Sequence, residues 1–348
     1  MKWLFGTILG LVIVLVFLIR KEYREVSAPL NIEAQPTKAI LVSKKIKPLS
    51  IVGTRIVDSD GKDVVLKGVT TDEFRYNNIY KDMDDLKDRL SIAKSWGINL
   101  VVLYLQQPKK NLERVDEIVE ISNWATANDM YTLIFPVVHQ ADEVPKKDIH
   151  LKKEEVHYSP LGNNTQNILD ILSKKLSNNF GVLYGMGVEP HSVDLDKLYD
   201  QQMKLIGVVR KNSPNSVAVI NGMVWGYLLE KYVAKPPPYP NILYDLHRYA
   251  ANRDENIDMN RCRLPAEYVG KMPFILGEFG GVYSEGFGSN RDLECISNFL
   301  ATLKDAHIGF AMHTLDYSSA LGLVKENKKL SRKGKMYEKF LLENYRDN

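Results

Sequence analysis

Apolar and polar positions alternate in blocks along most of this 348-residue chain. Short runs rich in β-branched and aromatic residues recur at Val64–Val69, Asn99–Leu105, Tyr131–Val138, Val182–Met186, Ser216–Ile220, Asn241–Leu246, Pro273–Leu276 and Gly309–Leu315. Between them lie longer stretches, such as DDLKDRLSIAKSWG, LDKLYDQQMKLIGVVRKNS and DLECISNFLATLKDAH, whose apolar residues return every three or four positions. The short runs predict strands buried on both faces, and the longer ones predict amphipathic helices. Eight strands alternating with helices, at about 30 to 50 residues per unit, predict an α/β fold of the (β/α)8 TIM barrel type. An open, doubly wound sheet is the alternative, but no glycine-rich phosphate fingerprint follows the first strand.

Two further patterns precede the barrel. GTRIVDSDGKDVVLKGV offers two β-rich segments around Asp60–Gly61, which predicts a hairpin able to cap the barrel bottom. Residues 29–50 show no sustained period and read as a tether, so the barrel domain is expected over 51–348. Trp3–Ile19 is an uncharged apolar run bracketed by Lys2 and by Arg20, Lys21 and Arg24. At about 1.5 Å per residue it falls near the short limit for a bilayer span, yet it is longer than a typical signal-peptide core. It predicts a single N-terminal transmembrane helix within residues 1–28. The alternative is a cleaved signal ending at Ala28. Basic residues on the C-terminal flank pull that end toward the cytoplasm, so an extracytoplasmic domain is expected from function rather than from charge.

Composition narrows the partner classes. The chain is 45% hydrophobic and 26% charged, with a formal charge of only +3 and both signs interleaved. No basic face is declared, and no nucleic-acid partner is expected. Cys262 and Cys295 lack metal-ligand spacing; a disulfide outside the cytosol and two free thiols both remain open.

The chemistry gathers at the ends of the predicted strands. VLYGMGVEPHS carries Glu189 out of the fourth strand against a proline, and PFILGEFGG ends the seventh with Glu278. His139 follows the third strand, Trp225 follows the fifth, and His247 and Tyr249 in YDLHRYA end the sixth. Taken singly, each has an ordinary role as a solvated carboxylate, a rim residue or a packing aromatic. Two glutamates at strand mouths among His, Tyr and Trp have a joint use. Glycosidic cleavage needs one protonated and one ionised carboxyl group flanking an acetal carbon, and aromatic faces suit sugar rings.

RIVDSDGKDVVLKGV, AKSWGINLVVL, VRKNSPNSVAVINGMVWGYLLEKY and, most specifically, MPFILGEFGG resemble the corresponding segments of glycoside hydrolase family 5. This is the cellulase and mannanase family of retaining (β/α)8 glycosidases, and the resemblance runs from about Gly53 to Tyr345. It implies a retaining hydrolase acting on a β-linked polysaccharide or oligosaccharide, with Glu189 as acid/base, Glu278 as nucleophile, and no metal or cofactor. His247 and Tyr249 match residues that orient the nucleophile and the sugar subsite; His139, Trp225, Tyr283 and His313 complete the expected carbohydrate contacts. Three positions depart from the pattern. Val188 stands where the family has Asn, Val102 where it has Arg, and His313 where it has Trp. The departures keep a rival reading open, a carbohydrate-binding barrel that has lost turnover.

Overall fold

The computed structural model describes residues 46–345 apart from 77–78, 106–107, 138–162, 191–193, 252–256, 283–288 and 320. Trp3–Ile19, His139 and Tyr283 therefore lie outside the described residues. Among the described residues, no helix is long and apolar enough to cross a membrane.

The chain opens with an antiparallel hairpin, β1 (Leu49–Val52) and β2 (Arg55–Asp58). Its reversal falls at Gly53–Thr54, earlier than predicted, where Gly53 takes a φ of +61° that glycine adopts without steric cost. Asp60–Gly61 forms a second turn that brings Val64 N–H back to Ile56 O. The hairpin caps the lower end of the barrel: Leu49 and Ile56 pack on the barrel interior, and Ile51 N–H donates to Asn241 Oδ1.

Eight parallel strands close the barrel. They are β3 (Lys67–Thr71), β4 (Leu100–Leu105), β5 (Tyr131–Pro136), β6 (Val182–Gly185), β7 (Ala218–Asn221), β8 (Ile242–Ala251), β9 (Phe274–Val282) and β10 (Gly309–Met312), with β10 pairing back onto β3. Alternation within β4 separates two cores. Leu100, Val102 and Tyr104 point inward with Leu133, Leu183, Val219, Leu243 and Ile275, while Val101 and Leu103 face the helices. The principal helices are α1 (Met83–Ser95), α2 (Val115–Ala127), α3 (Asn163–Lys175), α4 (Leu195–Asn212), α5 (Asn290–Asp305) and α6 (Arg332–Tyr345). Side-chain caps start three of them: Asp82 accepts from Asp85 N–H, Asp194 from Asp196 and Lys197 N–H, and Ser289 from Asp292 N–H.

Two strands run further than the sequence pattern suggests. β8 and β9 pair with each other as far as Ala251 and Val282, across a register shift at Leu246/His247. His247, Tyr249 and Glu278 thus sit on strands rather than after them. β10 is shorter than predicted and stops at Met312. Cys262 and Cys295 form a disulfide that ties the segment following β8 to α5.

Candidate active site

At the upper mouth of the barrel, Glu189 follows β6 and Glu278 lies on β9. Glu189 has a φ of +53°, a left-handed conformation that is costly for a side-chain-bearing residue, and more so ahead of a proline. Its neighbours hold it there. Val188 N–H donates to Pro136 O at 2.9 Å, and Glu189 N–H donates to Asn221 Oδ1 at 2.7 Å.

Asn221 begins a closed circuit. Its Nδ2 donates to Asp245 Oδ2 at 2.9 Å, the same oxygen lies 3.2 Å from His247 Nε2, and His247 Nδ1 lies 3.0 Å from Glu189 Oε1. Both imidazole nitrogens face carboxylate oxygens, and only the imidazolium donates at both. Burial opposes that charge, yet Glu278, Asp245 and Glu189 together lift the His247 pKa well above the ordinary 6.5. Asp245 Oδ1 accepts from Gly277 N–H at 2.8 Å, which ties the circuit to the residue before Glu278. Glycine is required here, since a Cβ on Gly277 would lie 2.2 Å from that oxygen.

Glu278 is buried. Tyr249 OH donates to its Oε2 at 3.0 Å, His247 Nδ1 lies 3.8 Å from Oε2, and His313 Nδ1 lies 3.7 Å from Oε1. Tyr104 is also close, and its hydroxyl makes no hydrogen bond of ordinary length. Burial pushes the Tyr104 pKa well above 10, and the negative charges of Glu278 and Asp245 push it further. Behind His313, buried Lys333 of α6 donates to the His313 carbonyl at 3.2 Å. Burial draws the Lys333 pKa down to about 8 against the pull of Asp292 and Glu278.

One oxygen from each glutamate and one nitrogen of His247 lie within 4.8 Å of one another. That donor set has the size of a cation site, but the same atoms already satisfy one another as a hydrogen-bonded histidine between carboxylates. Their spacing also matches the separation of about 5 to 5.5 Å at which one carboxyl can attack a carbon while the other protonates the departing oxygen.

The structure brings Glu189, His247, Tyr249, Glu278 and His313 together. Trp225 stands at the rim, 38% exposed, in a turn whose Val224 and Trp225 both have positive φ. Its N–H donates to Pro190 O at 3.1 Å, and Gly226 packs so closely on His247 that a Cβ there would lie 2.9 Å from the His247 Cβ. Val102 and Val188 both belong to the apolar barrel interior. Asn221, Asp245, Tyr104 and Lys333 escape the sequence reading. Asp245 left a trace there, as a carboxylate within the buried run NILYDL.

A parallel barrel with paired carboxylates at its C-terminal mouth has the layout of a TIM-barrel enzyme site. The family model for cellulase (glycosyl hydrolase family 5) matches residues 57–319, and the chain belongs to that family. Among curated proteins, it is 24% identical over 277 residues to Endoglucanase A of Butyrivibrio fibrisolvens, covering 75% of this chain and 59% of that protein. It is 22% identical over 278 residues to an endoglucanase of Thermobifida fusca, covering 75% of this chain and 54% of that protein. The chain thus spans little more than half the length of these relatives. Among solved structures, the catalytic domain of a Thermobifida fusca endoglucanase superposes with a TM-score of 0.65 at 18% identity, over 84% of this chain and 97% of that one. A β-glucanase of Saccharophagus degradans in complex with cellotetraose superposes with a TM-score of 0.66 at 17% identity, over 86% and 94% of the two chains.

Proposed function

We propose that this protein is a retaining glycoside hydrolase acting on a β-linked glucan, with Glu189 as acid/base and Glu278 as nucleophile. The carrying observation is the close approach of the two carboxyl groups at the barrel mouth, with Tyr249 fixing Glu278. In the first step Glu189 gives its proton to the glycosidic oxygen while Glu278 attacks the anomeric carbon, and the leaving sugar departs as an alcohol. In the second, Glu189 takes a proton from water as the oxygen of that water displaces Glu278. The endoglucanase relatives, and the cellotetraose complex of the Saccharophagus degradans neighbour, support a β-glucan as substrate.

The test is an assay of the soluble domain against a panel of β-linked glucans and cellooligosaccharides. Reducing ends must appear with wild type and vanish with Glu278→Ala. A second reading, binding without turnover, is favoured by the altered positions Val102, Val188 and His313. Binding of cellotetraose by wild type without release of reducing ends on any substrate would establish it.

Residues 1–28 act as an uncleaved membrane anchor and the stretch from residue 29 to the start of β1 at Leu49, two residues shorter than expected, as a tether, holding the domain outside the cytoplasm. The Cys262–Cys295 disulfide supports this placement, because such bonds persist in oxidising compartments. Protease added to intact cells should release the domain; full protection would refute the topology.

A further inference from the structure

β7 ends at Asn221, whereas β8 runs on beside β9 as far as Ala251. The upper part of β8 therefore needs partners other than a strand for the main-chain groups that face the β7 side. Residues 222–228 supply them. Gly222 N–H donates to Asp245 O at 2.8 Å, and Gly226 packs against His247. The Tyr227 hydroxyl then meets Tyr249 twice: Tyr249 N–H donates to Tyr227 Oη at 3.0 Å, and Tyr227 O–H donates to Tyr249 O at 3.1 Å. A single side-chain oxygen thus does for Tyr249 what a neighbouring strand would do.

The turn that presents this hydroxyl is tightly determined. Met223 and Leu228 exchange main-chain hydrogen bonds of 2.8 and 3.0 Å, and Val224, Trp225 and Gly226 take successive φ values of +55°, +59° and +80°. Valine and tryptophan adopt that region at a cost, so the surrounding contacts must impose it. The Arg248 guanidinium lies 5.0 Å from the Tyr227 ring centroid and holds the ring from the other side. The same turn carries the rim residue Trp225, whose N–H reaches Pro190 O beside Glu189.

We propose that Tyr227 is a positioning residue: by gripping the main chain of Tyr249 it fixes the hydroxyl that Tyr249 donates to Glu278 Oε2. The proposal rests on the nucleophile role of Glu278 and adds a residue that acts through Tyr249 rather than on the carboxylate. The Tyr249 hydroxyl stands at the far end of a long side chain, so a small tilt of the main chain is magnified where it meets Glu278. Glu278 keeps its other contacts when Tyr227 is changed, and the expected loss is therefore partial.

The test is a double-mutant cycle on cellotetraose with wild type, Tyr227→Phe, Tyr249→Phe and the double variant. Tyr227→Phe should lower kcat on the order of tenfold with KM within about twofold, and in the Tyr249→Phe background it should cost less than about twofold. Additive losses, or a change confined to KM, would overturn the proposal. Independently of turnover, hydrogen exchange at the Tyr249 amide, followed with ¹⁵N-tyrosine, should be at least about tenfold faster in Tyr227→Phe, because the acceptor of that N–H is gone. Unchanged protection refutes the grip. Should Tyr227→Phe fail to fold, the wild type still decides: the Tyr249 amide must show a nuclear Overhauser contact to the Tyr227 ring protons beside the hydroxyl, and its absence sinks the proposal. A wild type inactive on every glycoside would reject the hydrolase reading, while the exchange comparison would still decide whether Tyr227 holds Tyr249.

Discussion

The two sides of the barrel mouth solve the burial of charge differently. On the β6–β8 side, Glu189, Asn221, Asp245 and His247 form a closed hydrogen-bonded ring in which each member is held by its neighbours. On the β9–β10 side, Glu278 accepts a hydrogen bond from Tyr249 and lies at longer ion-pair distances from His247 and His313, with a buried lysine behind His313. The first arrangement is cooperative, because moving one member disturbs the rest. The second is assembled from separate contacts rather than a closed circuit, and His313 is one of its members.

The sharpest way to break this comparison is at the carboxylates themselves. Glu278→Ala should abolish turnover by about 10⁴-fold or more while leaving cellooligosaccharide binding measurable by calorimetry. Retained turnover would remove Glu278 from the nucleophile role.

Lys333 tests the cost carried by the second side. Its pKa is about 8 in the fold against 10.5 unperturbed. Between those values the unfolded chain binds the proton and the folded one does not, so stability should rise as pH climbs from about 8 to about 10.5. Below about 8 the full cost of burying the cation is present, on the order of 3 kcal/mol. Urea titrations of Lys333→Met should lack that alkaline rise relative to wild type. The variant should also be more stable at neutral pH by about 2 kcal/mol, after allowing about 1 kcal/mol for the lost bond to His313 O. Identical pH profiles for the two proteins would show that the lysine carries no such cost.

The ring on the first side should respond as a unit. Asp245→Asn removes the charge that faces His247 Nε2 and should lower kcat by roughly 10 to 10²-fold; adding Asn221→Ala should cost much less than it does alone. Additive losses would mean the ring is not cooperative. The smallest effect belongs to the exposed rim. Trp225→Ala should raise KM for oligosaccharides a few-fold and leave kcat nearly unchanged, as loss of a stacking face predicts.

The sequence made the barrel legible because strands buried on both faces and helices buried on one have unmistakable periods. It also located Glu189 and Glu278 at the mouth, since Pro190 and the Gly277–Glu278 step mark where apolar runs stop. Strand lengths were less legible: β8 and β9 continue past their apolar runs because each supplies the other with a ladder, which a one-dimensional pattern does not display. The ring was hidden because Asn221 and Asp245 earn their roles only when adjacent strands come into register. His313 was open between sugar contact and core because burial there depends on Thr70 and Asp72, more than 240 residues away in sequence. The cysteines were equally undetermined, as a separation of 33 residues fixes no distance.

That same bond encloses β9. The covalent loop from Cys262 to Cys295 contains the whole strand that bears Glu278, so a single peptide cleavage between the two cysteines leaves both fragments attached to each other. Closing a loop of this length restricts the unfolded chain by about 3 to 4 kcal/mol on the chain-entropy account. For this fold, a nick in the segment around the strand that bears Glu278 is an injury from which the domain can still refold as one molecule.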